Sequence, residues 1–316
     1  MKKILVIIAA RGIGDLIYHL PLLRSLYKSY KKKIIILSNK VNHSKEVYKY
    51  ESFYEEIIEF ENTRLPFIET LFTIRNFTKL INRYKVDKVI LTASPRRLMA
   101  PVYLSNAKEK VIFGGSKIFF FKDKKYQNIT HAEKIMKYTE KLNLPINEKN
   151  FYLTQPDIKE NDLEEKKFKV FINLDSHHDQ NNWDIENYIK ILTKIIMYNI
   201  KIFINFSPNK KKILSLLPKK IIDSSKINLT FEKKILDIIK IINSCNVIIG
   251  NESGPICLGA SLKKEVHSIY LPIHTKPESQ MISPKTVYYN VEKENDKIII
   301  DKIMNSLLDN YNKQNF

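Results

Sequence analysis

Residues 3–30, KILVIIAARGIGDLIYHLPLLRSLYKSY, decide the fold. Ile4–Ala9 form a continuous apolar run, which predicts a strand buried on both faces of a parallel sheet. Two glycines and Asp15 follow, and Leu16–Tyr30 have the spacing of a helix. The apolar run is at the short limit for a signal peptide and lacks a convincing cleavage site, so a strand is the preferred interpretation. This order predicts the opening of a doubly wound α/β domain.

The same alternation continues through two halves of the chain. A stretch with prolines and many charges, Leu144–Lys169, interrupts it and is interpreted as a linker. We therefore predict two doubly wound parallel-sheet domains facing a cleft, residues 1–155 and 156–316, with the terminal helix a candidate to pack back on the first. The predicted strands are Ile4–Ala9, Ile34–Ser38, Glu56–Phe60, Val86–Thr92, Val111–Phe113, Val170–Leu174, Lys201–Asn205, Val247–Gly250 and Val266–Tyr270. The predicted helices are Leu16–Tyr30, Phe67–Tyr84, His131–Leu142, Ile185–Met197, Lys210–Leu217, Glu232–Asn243, one opening near Gly254, and Lys297–Asn310.

Lysine dominates the charge of the chain. The formal net charge is +19, and seven of the 53 basic residues are arginine, so 46 are lysine. Abundant lysine, isoleucine and asparagine are what AT-rich codon usage produces, so much of this charge is interpreted as solvated. The remainder is compatible with an anionic lipid surface or a polyanionic substrate. No zinc-finger spacing or RNA-binding motif is present, so nucleic acid is not expected as a partner.

Other global features favour a soluble protein. No stretch approaches the ~18–20 apolar residues of a membrane span. The two cysteines, Cys245 and Cys257, form neither a disulfide framework nor a metal-ligand spacing, which fits the reducing cytoplasm. Phe119–Phe121, flanked by lysines, is interpreted as core, as a membrane contact or as a cover of the acceptor cleft.

Glycine is scarce, with only seven residues, so its positions are informative. Gly12 and Gly14 follow the first strand, where the backbone needs a positive φ or a close approach. The loop is not the dinucleotide fingerprint, because Ile17 stands where the third glycine would be. Asp15 has two interpretations that the sequence leaves open: an N-cap of the following helix, or a general base in a cleft.

A second glycine loop, residues 250–255 (GNESGP), lies between a predicted strand and a helix with proline in its first turn. Backbone N–H groups at such a helix start suit a diphosphate, and Ser253 adds a hydroxyl donor. Glu252 would repel phosphate, so it is a candidate to hold a ribose hydroxyl or to orient the loop.

Three further features remain as candidates. Arg96 and Arg97 follow the fourth strand and either bind an anionic acceptor bidentately or lie plainly on the surface. The run 175–179 contains two histidines and two aspartates, but adjacent residues seldom converge on one ion, so no metal is expected. Trp183, the only tryptophan, is interpreted as a packing residue in preference to a base-stacking platform.

Several segments, in order and across nearly the whole chain, carry a resemblance to a known family. Residues 3–26 contain the opening (KILVI, GIGD, LPLLRSL), residues 86–90 (VDKVI) and 107–114 follow, and residues 247–262 (VIIGNESGPICLGASL) close the series. They resemble glycosyltransferase family 9, the ADP-heptose:lipopolysaccharide heptosyltransferases. The last segment is similar to the family's most specific motif, G-N-D-S/T-G-P-x-H-L-A-A-A-L.

The resemblance implies a GT-B fold and an inverting sugar transfer without metal or cofactor. The donor substrate would be a nucleotide-sugar, by preference ADP-heptose, and Asp15 would deprotonate the acceptor hydroxyl. The acceptor would be an anionic lipopolysaccharide-core glycolipid or related oligosaccharide. We expect a monomer in the cytoplasm, with peripheral contact at the inner face of the inner membrane as a further candidate. The predicted donor-binding residues are Ser176, His177, His178, Asn181, Glu252, Ser253, Gly254, Pro255 and Cys257, and the predicted acceptor-binding residues are Gly12, Gly14, Arg96 and Arg97.

The chain departs from the family pattern at three positions. Asn181 stands where the family has lysine, Cys257 where it has histidine, and Glu252 where it usually has aspartate. Loss of the lysine should weaken charge stabilisation of the leaving diphosphate, and His177 or His178 are candidates to substitute for it. Two alternatives stay open: a GT-B enzyme with another donor or an epimerase activity, and a degenerate member that binds a nucleotide-sugar or a partner without catalysis.

Overall fold

A computed structural model describes residues 3–9, 12–61, 67–93, 95–113, 129–144, 151–155, 167–176, 182–271 and 281–315. The chain divides into two compact units, Met1–Phe151 and Tyr152–Phe316. This boundary falls inside the stretch 144–169 that the sequence predicts as linker. Phe119–Phe121 and two of the seven glycines, Gly114 and Gly115, lie outside the described residues.

The first unit is a five-stranded parallel sheet in the order β3-β2-β1-β4-β5. Every residue of its central strand, ILVII, is buried, as expected for a strand covered by helices on both faces. Its strands are β1 Ile4–Ile8, β2 Ile34–Asn39, β3 Tyr54–Phe60, β4 Lys88–Leu91 and β5 Glu109–Ile112, and its helices are α1 Ile13–Tyr30, α2 Ser44–Val47, α3 Phe67–Arg83, α4 Arg96–Leu104 and α5 His131–Lys141.

The second unit is a six-stranded parallel sheet in the order β11-β10-β9-β6-β7-β8. Its core contains Trp183, which confirms the packing interpretation of that residue. Helix α11 packs against α6 in this unit, and its suggested contact with the first domain stays a prediction. The strands are β6 Phe168–Asn173, β7 Ile200–Asn205, β8 Ile227–Leu229, β9 Val247–Asn251, β10 Glu265–Tyr270 and β11 Thr286–Asn290, and the helices are α6 Ile185–Ile195, α7 Lys212–Leu216, α8 Lys219–Ile222, α9 Ile235–Ser244, α10 Gly254–Ser261 and α11 Asp296–Asn315.

Each sheet reverses its strand order once. In the first unit the reversal lies between β1 and β4, and in the second between β6 and β9. Ligands of doubly wound sheets bind beyond the carboxyl ends of the strands at such switch points. The predicted functional loops after β1 and after β9 therefore both begin at a switch point.

Five elements are absent from the sequence prediction, and two of them, α2 and α8, are helices of only four residues. Helix α4 follows Pro95 and contains Pro101, which masks its helical pattern. Strand β8 has only three residues, all partly buried. Strand β11 lies at the sheet edge with Val287 and Tyr288 exposed, so it lacks the continuous apolar run of a central strand.

Candidate active site

The turn between β1 and α1 depends on a glycine. Gly12 has a φ of 155°, a conformation that residues with a side chain rarely adopt. Its backbone N–H donates to Oδ1 of buried Asn42 at 2.8 Å. A Cβ atom on Gly12 would lie 3.3 Å from Oδ2 of Asp15, so glycine leaves room for that carboxylate. We call residues 12–15 the Asp15 turn.

The N-cap interpretation of Asp15 is wrong. Helix α1 begins at Ile13 and its cap is Gly12, so Asp15 lies inside the first turn. Its negative charge there is favourable, because the N-terminal end of a helix carries partial positive charge. The side chain is 22% exposed, so the carboxylate is accessible. Gly14 is partly buried beside it in the same turn.

His131 contacts the predicted catalytic carboxylate, and sequence reasoning missed it. Its Nε2 lies 3.6 Å from Oδ1 of Asp15, and the histidine side chain is 26% exposed. The residue opens α5, directly after Thr130, which forms a capping box with Glu133. This box fixes the start of the helix and therefore the position of the imidazole. The sequence Thr-His-Ala-Glu was the available signal.

A second histidine is hydrogen-bonded to the backbone of the Asp15 turn. His19 is fully buried, and its Nδ1 donates to the backbone carbonyl of Asp15 at 2.5 Å. Its ring centroid lies 5.7 Å from that of His131. Burial, with a further contribution from His131, lowers the pKa of His19 to about 3. The imidazole is therefore neutral at physiological pH and acts as a hydrogen-bond donor to the helix backbone.

Arg96 and Arg97 begin α4 after the carboxyl end of β4, the strand beside β1. The helix start therefore lies at the same switch point as the Asp15 turn. Arg97 is partly buried, and the side chain of Arg96 lies outside the described residues. The acceptor-binding role of Gly12, Gly14 and both arginines stays a prediction.

In the second unit, three neighbouring strands each end in an asparagine: Asn173, Asn205 and Asn251. Asn205 donates through Nδ2 to Oδ1 of Asn173 at 2.8 Å, and Thr230 donates to Oδ1 of Asn205 at 3.2 Å. Asn251 accepts from the backbone of Trp183 at 2.7 Å and donates to the carbonyl of Leu174 at 3.1 Å. We call the three residues the asparagine ladder. It ties the loops after β6 and β9 to each other.

Residues 250–255, from the end of β9 to the start of α10, are predicted to bind the donor, and we call them the donor loop. Gly250 packs so closely on β6 that a Cβ atom would lie 2.5 Å from the carbonyl oxygen of Asn173. Ser253 caps α10, with Gly254 and Pro255 opening the helix. The Ser253 hydroxyl accepts from Nδ2 of Asn173 at 3.1 Å and thereby keeps its own proton as a donor. The loop thus presents a hydroxyl at a helix start, as an anion site requires.

Two other residues that are predicted to bind the donor lie in this loop and in the helix that follows it. Glu252 accepts through Oε2 from the hydroxyl of Ser268 at 2.5 Å, which orients the carboxylate. Cys257 is buried in α10. His177, His178 and Asn181 lie outside the described residues. The binding roles of all five stay predictions.

Lys210 is a second residue that sequence reasoning missed. Ser176 is buried after β6, and its carbonyl accepts from Nζ of Lys210 at 2.8 Å. The same Nζ lies 3.5 Å from Oδ2 of Asp175, a carboxylate that also accepts from the backbone of Ser207 at 3.0 Å. A cation from the segment after β7 is therefore held against the loop that was predicted to hold donor phosphate. The sequence placed Lys210 in a helix, but α7 begins at Lys212.

Two findings concern the described part of the chain as a whole. Among those residues, no group of three or more histidine, cysteine, aspartate or glutamate side chains is arranged to hold a metal ion. No helix within the described ranges is long and apolar enough to cross a membrane.

Comparison with known proteins identifies the family. The model of glycosyltransferase family 9 (heptosyltransferase) matches residues 122–297. ADP-heptose LPS heptosyltransferase II of E. coli is similar over 98% of this chain and 99% of its own, with 13% identity and a TM-score of 0.77. The family 9 glycosyltransferase of Veillonella parvula DSM 2008 covers 96% of this chain and 89% of its own, with 16% identity and a TM-score of 0.74. E. coli heptosyltransferase WaaC with ADP is similar over 96% of this chain and 99% of its own, with 11% identity and a TM-score of 0.71. No protein of curated function matches the sequence significantly.

At these identities the likeness shows the fold, which is GT-B and confirms the predicted fold class. The family match extends over more than half of the chain and confirms the resemblance read from the motifs. The chain belongs to glycosyltransferase family 9, the heptosyltransferase family, and is a glycosyltransferase.

Proposed function

We propose that the chain is an inverting, metal-independent glycosyltransferase. It transfers a sugar, by preference heptose from ADP-heptose, to an anionic lipopolysaccharide-core glycolipid or a related glycan. The acceptor binds the first unit and the nucleotide-sugar the second. The proposal draws on the family and on E. coli WaaC, whose structure holds ADP.

The Asp15 turn is the single observation that carries the proposal. A partly exposed carboxylate stands at the switch point of the first sheet, with room made by Gly12 and an imidazole at 3.6 Å. A general base needs this combination of accessibility and fixed orientation. His131 and the His19 hydrogen bond to the helix backbone supply the orientation. Both histidines are positioning residues in this mechanism.

The proposed reaction is a single displacement at the anomeric carbon of the donor. The acceptor hydroxyl loses its proton to Asp15, and its oxygen forms a bond to the anomeric carbon of the donor. The bond from that carbon to the diphosphate oxygen breaks, and the nucleoside diphosphate leaves with the electron pair. Attack on the face opposite the leaving group inverts the anomeric configuration. Base catalysis of this kind contributes typically about 10²–10⁴-fold to the rate.

The second unit supports the departure of the diphosphate. The start of α10, the Ser253 hydroxyl and Nζ of Lys210 offer hydrogen-bond donors and positive charge in loops that the asparagine ladder ties together. Fixed donors and charges of this kind stabilise the negative charge that develops on a leaving diphosphate. Lys210 supplies a cation near Ser176, whereas Asn181 replaces the family's lysine.

Three further parts of the proposal concern the setting of the reaction. The enzyme works in the cytoplasm as a monomer, and it meets its glycolipid acceptor at the inner face of the inner membrane. The excess of lysine, with a net charge of +19, favours an anionic surface of this kind.

The test is a transfer assay with the purified chain, ADP-heptose and a heptose-free lipopolysaccharide-core acceptor. Asp15→Asn should lower kcat by about 10²–10⁴-fold, because the amide cannot take the proton. Asp237→Asn is the matched control, since Asp237 also lies in the first turn of a helix, α9, and is exposed. Equal rates for Asp15→Asn and the wild type would exclude the proposed base.

Three further readouts examine the finer statements. NMR of the anomeric proton in the product reports inversion or retention. A rate unchanged by EDTA agrees with metal independence, and loss that added Mg²⁺ restores contradicts it. Replacing ADP-heptose by UDP- or GDP-sugars identifies the donor, and transfer from those donors alone would overturn the ADP-heptose assignment.

A further inference from the structure

A cavity opens at the amino-terminal ends of β6, β9 and β10, on the edge of the sheet away from the donor loop. Its volume is about 680 Å³, which lies within the usual range for small-molecule sites. Strand β6 has six residues, so the cavity lies about 20 Å from the donor loop along the sheet. Its walls come from these strands, from the turn before β11 and from α11, all in the second unit. We call it the basic cavity.

The lining of the basic cavity carries excess positive charge. Its two acids are Glu265 and Asp309, and with four lysines in the lining the formal charge is +2. Asn246 and Gln314 also line the cavity, where Nδ2 of Asn246 donates to Oε1 of Gln314 at 2.8 Å. The four lysines are Lys263, Lys264, Lys285 and Lys313.

The carboxylate of Glu265 is already engaged by the protein. Oε1 accepts from Ser306 at 2.7 Å and lies 3.1 Å from Nε2 of buried His267, and Oε2 accepts from Asn310 at 2.7 Å. Burial raises the pKa of Glu265, but these hydrogen bonds outweigh it and hold the pKa below its ordinary value. These hydrogen bonds keep Glu265 ionised, so its negative charge counts in the formal charge of +2.

Lys264 distinguishes the cavity from an ordinary solvated lysine surface. The residue is partly buried, and burial lowers the pKa of its ammonium group. Neighbouring Lys285 lowers that pKa further. Lys264 is partly buried and Lys285 is exposed, so water screens their repulsion only in part, and an anion bound beside them would relieve it.

We propose that the basic cavity is a second anion site, which binds a phosphorylated small molecule with its phosphate beside Lys264 and Lys285. Phosphate is favoured because the partly buried Lys264 and three exposed lysines line one cavity, and ammonium groups bind phosphate as point charges. The ligand is either a soluble phosphate ester or the headgroup of a phospholipid, which share this chemistry. The site is independent of the sugar-transfer site, because it occupies the opposite edge of the sheet.

The test is calorimetric titration of the full chain with inorganic pyrophosphate. The cavity variant is Lys264→Met with Lys285→Met, which removes two charges and keeps the apolar stems. The matched control is Lys219→Met with Lys220→Met, an equal change of charge on exposed residues of α8. We expect the cavity variant to weaken pyrophosphate binding at least about tenfold and the control to bind as the wild type does.

A third variant separates this site from the donor side. Lys210→Met should leave the cavity's pyrophosphate binding intact, because Lys210 follows the carboxyl end of β7. Vesicles of phosphatidylcholine with and without phosphatidic acid distinguish the two sources: binding that needs both phosphatidic acid and the cavity lysines assigns a lipid headgroup. Soluble binding alone assigns a free phosphate ester. Either result supports the site.

Two outcomes overturn the proposal. One is pyrophosphate and vesicle binding that is equal in the cavity variant and the wild type. The other is no binding of either probe to the wild type. Thermal unfolding of the cavity variant checks its fold, and it should be at least as stable as the wild type without anion, since the repulsion between Lys264 and Lys285 has been removed.

Discussion

A single methyl group at Gly250 should disturb both the second sheet and the donor loop. Gly250 pairs with Asn173 across β6 and β9, and a Cβ atom would lie 2.5 Å from the Asn173 carbonyl oxygen. Ordinary contact begins at 3.4 Å, so the two backbones must separate by about 0.9 Å. Overpacking of this kind costs typically about 1–3 kcal/mol. For a unit of this size that lowers Tm by about 2–12 °C.

The displacement should also reach the site. Asn173 holds Ser253 at 3.1 Å, and Asn205 holds Asn173 at 2.8 Å, so moving Asn173 disturbs the asparagine ladder and the donor loop together. We therefore expect Gly250→Ala to weaken ADP binding about tenfold, the effect of losing one hydrogen bond to a charged group. Calorimetry with ADP measures the affinity, and thermal and urea unfolding measure the stability.

Gly259→Ala is the comparison variant. A Cβ atom there would lie 2.9 Å from Cγ1 of Ile248, a side-chain atom that can adjust more easily than backbone. Alanine also favours the interior of a helix by about 1 kcal/mol over glycine, which offsets part of the clash. This variant should lose less stability and keep its affinity for ADP. If Gly250→Ala has the same stability and the same affinity for ADP as the wild type, then the close approach of β6 and β9 and its role in the site are both wrong.

Three further perturbations test the two units separately. The pKa of His19 is about 3 in the folded chain against 6.5 for a free imidazole, so the unfolded chain binds the extra proton between these values. The free energy of unfolding should therefore fall by about 1.4 kcal/mol per pH unit as pH decreases through that window, and His19→Gln should remove this slope in urea titrations. Lys210→Met should weaken ADP binding about 10- to 100-fold, measured by calorimetry, because a charge-assisted contact is lost. Gly12→Ala should lower kcat, because its φ of 155° is strained for alanine by about 1–3 kcal/mol and its Cβ crowds the Asp15 carboxylate at 3.3 Å.

Each of these has its own control. Lys211→Met removes an exposed lysine that is paired with Glu232 at 2.7 Å, and its ADP affinity should stay at the wild-type value. Identical pH profiles of stability for the wild type and His19→Gln would show that the folded imidazole takes up a proton normally. Full activity in Gly12→Ala would show that the carboxylate does not depend on the glycine turn.

The glycine turns were predictable, and their side-chain partners were not. Only seven glycines occur, so a pair directly after an apolar run and a second pair in a similar position predicted two functional loops. Asp15 and Ser253 were predicted as site residues because they lie in those loops. The start of α1 was predicted too late, because Gly12 adopts a φ that lets the helix begin at Ile13. That error produced the N-cap alternative for Asp15.

His131 and Lys210 are two residues of the candidate site that could not be predicted from the sequence. His131 meets a residue more than a hundred positions earlier because α5 packs on α1, and no local pattern specifies that packing. Lys210 meets Ser176 because β6 and β7 end at the same edge of the sheet. Among 46 lysines, its identity gave no reason to choose it. Strand order, which sequence periodicity does not fix, decides both contacts.

The asparagine ladder shows that a weak sequence pattern, asparagine at the end of several strands, can be interpreted once the strand order is known. Strands β6, β7 and β9 end in the letters FIN, FIN and IGN, and the first two pair in register at Asn173 and Asn205. Buried amides are costly unless they are bonded, so asparagines recurring at adjoining strand ends require hydrogen-bond partners at that edge of the sheet. Once the order β9-β6-β7 is established, the same letters predict bonded amides at the end of all three strands: Asn205 bonds to Asn173, and Asn251 bonds to backbone groups of the loop after β6. Asn173 and Asn205 bond to each other, so replacing either one would leave the other's amide unsatisfied, and these two should lose stability as a unit. Replacing Asn251 would instead remove the partner of the Trp183 backbone N–H and of the Leu174 carbonyl.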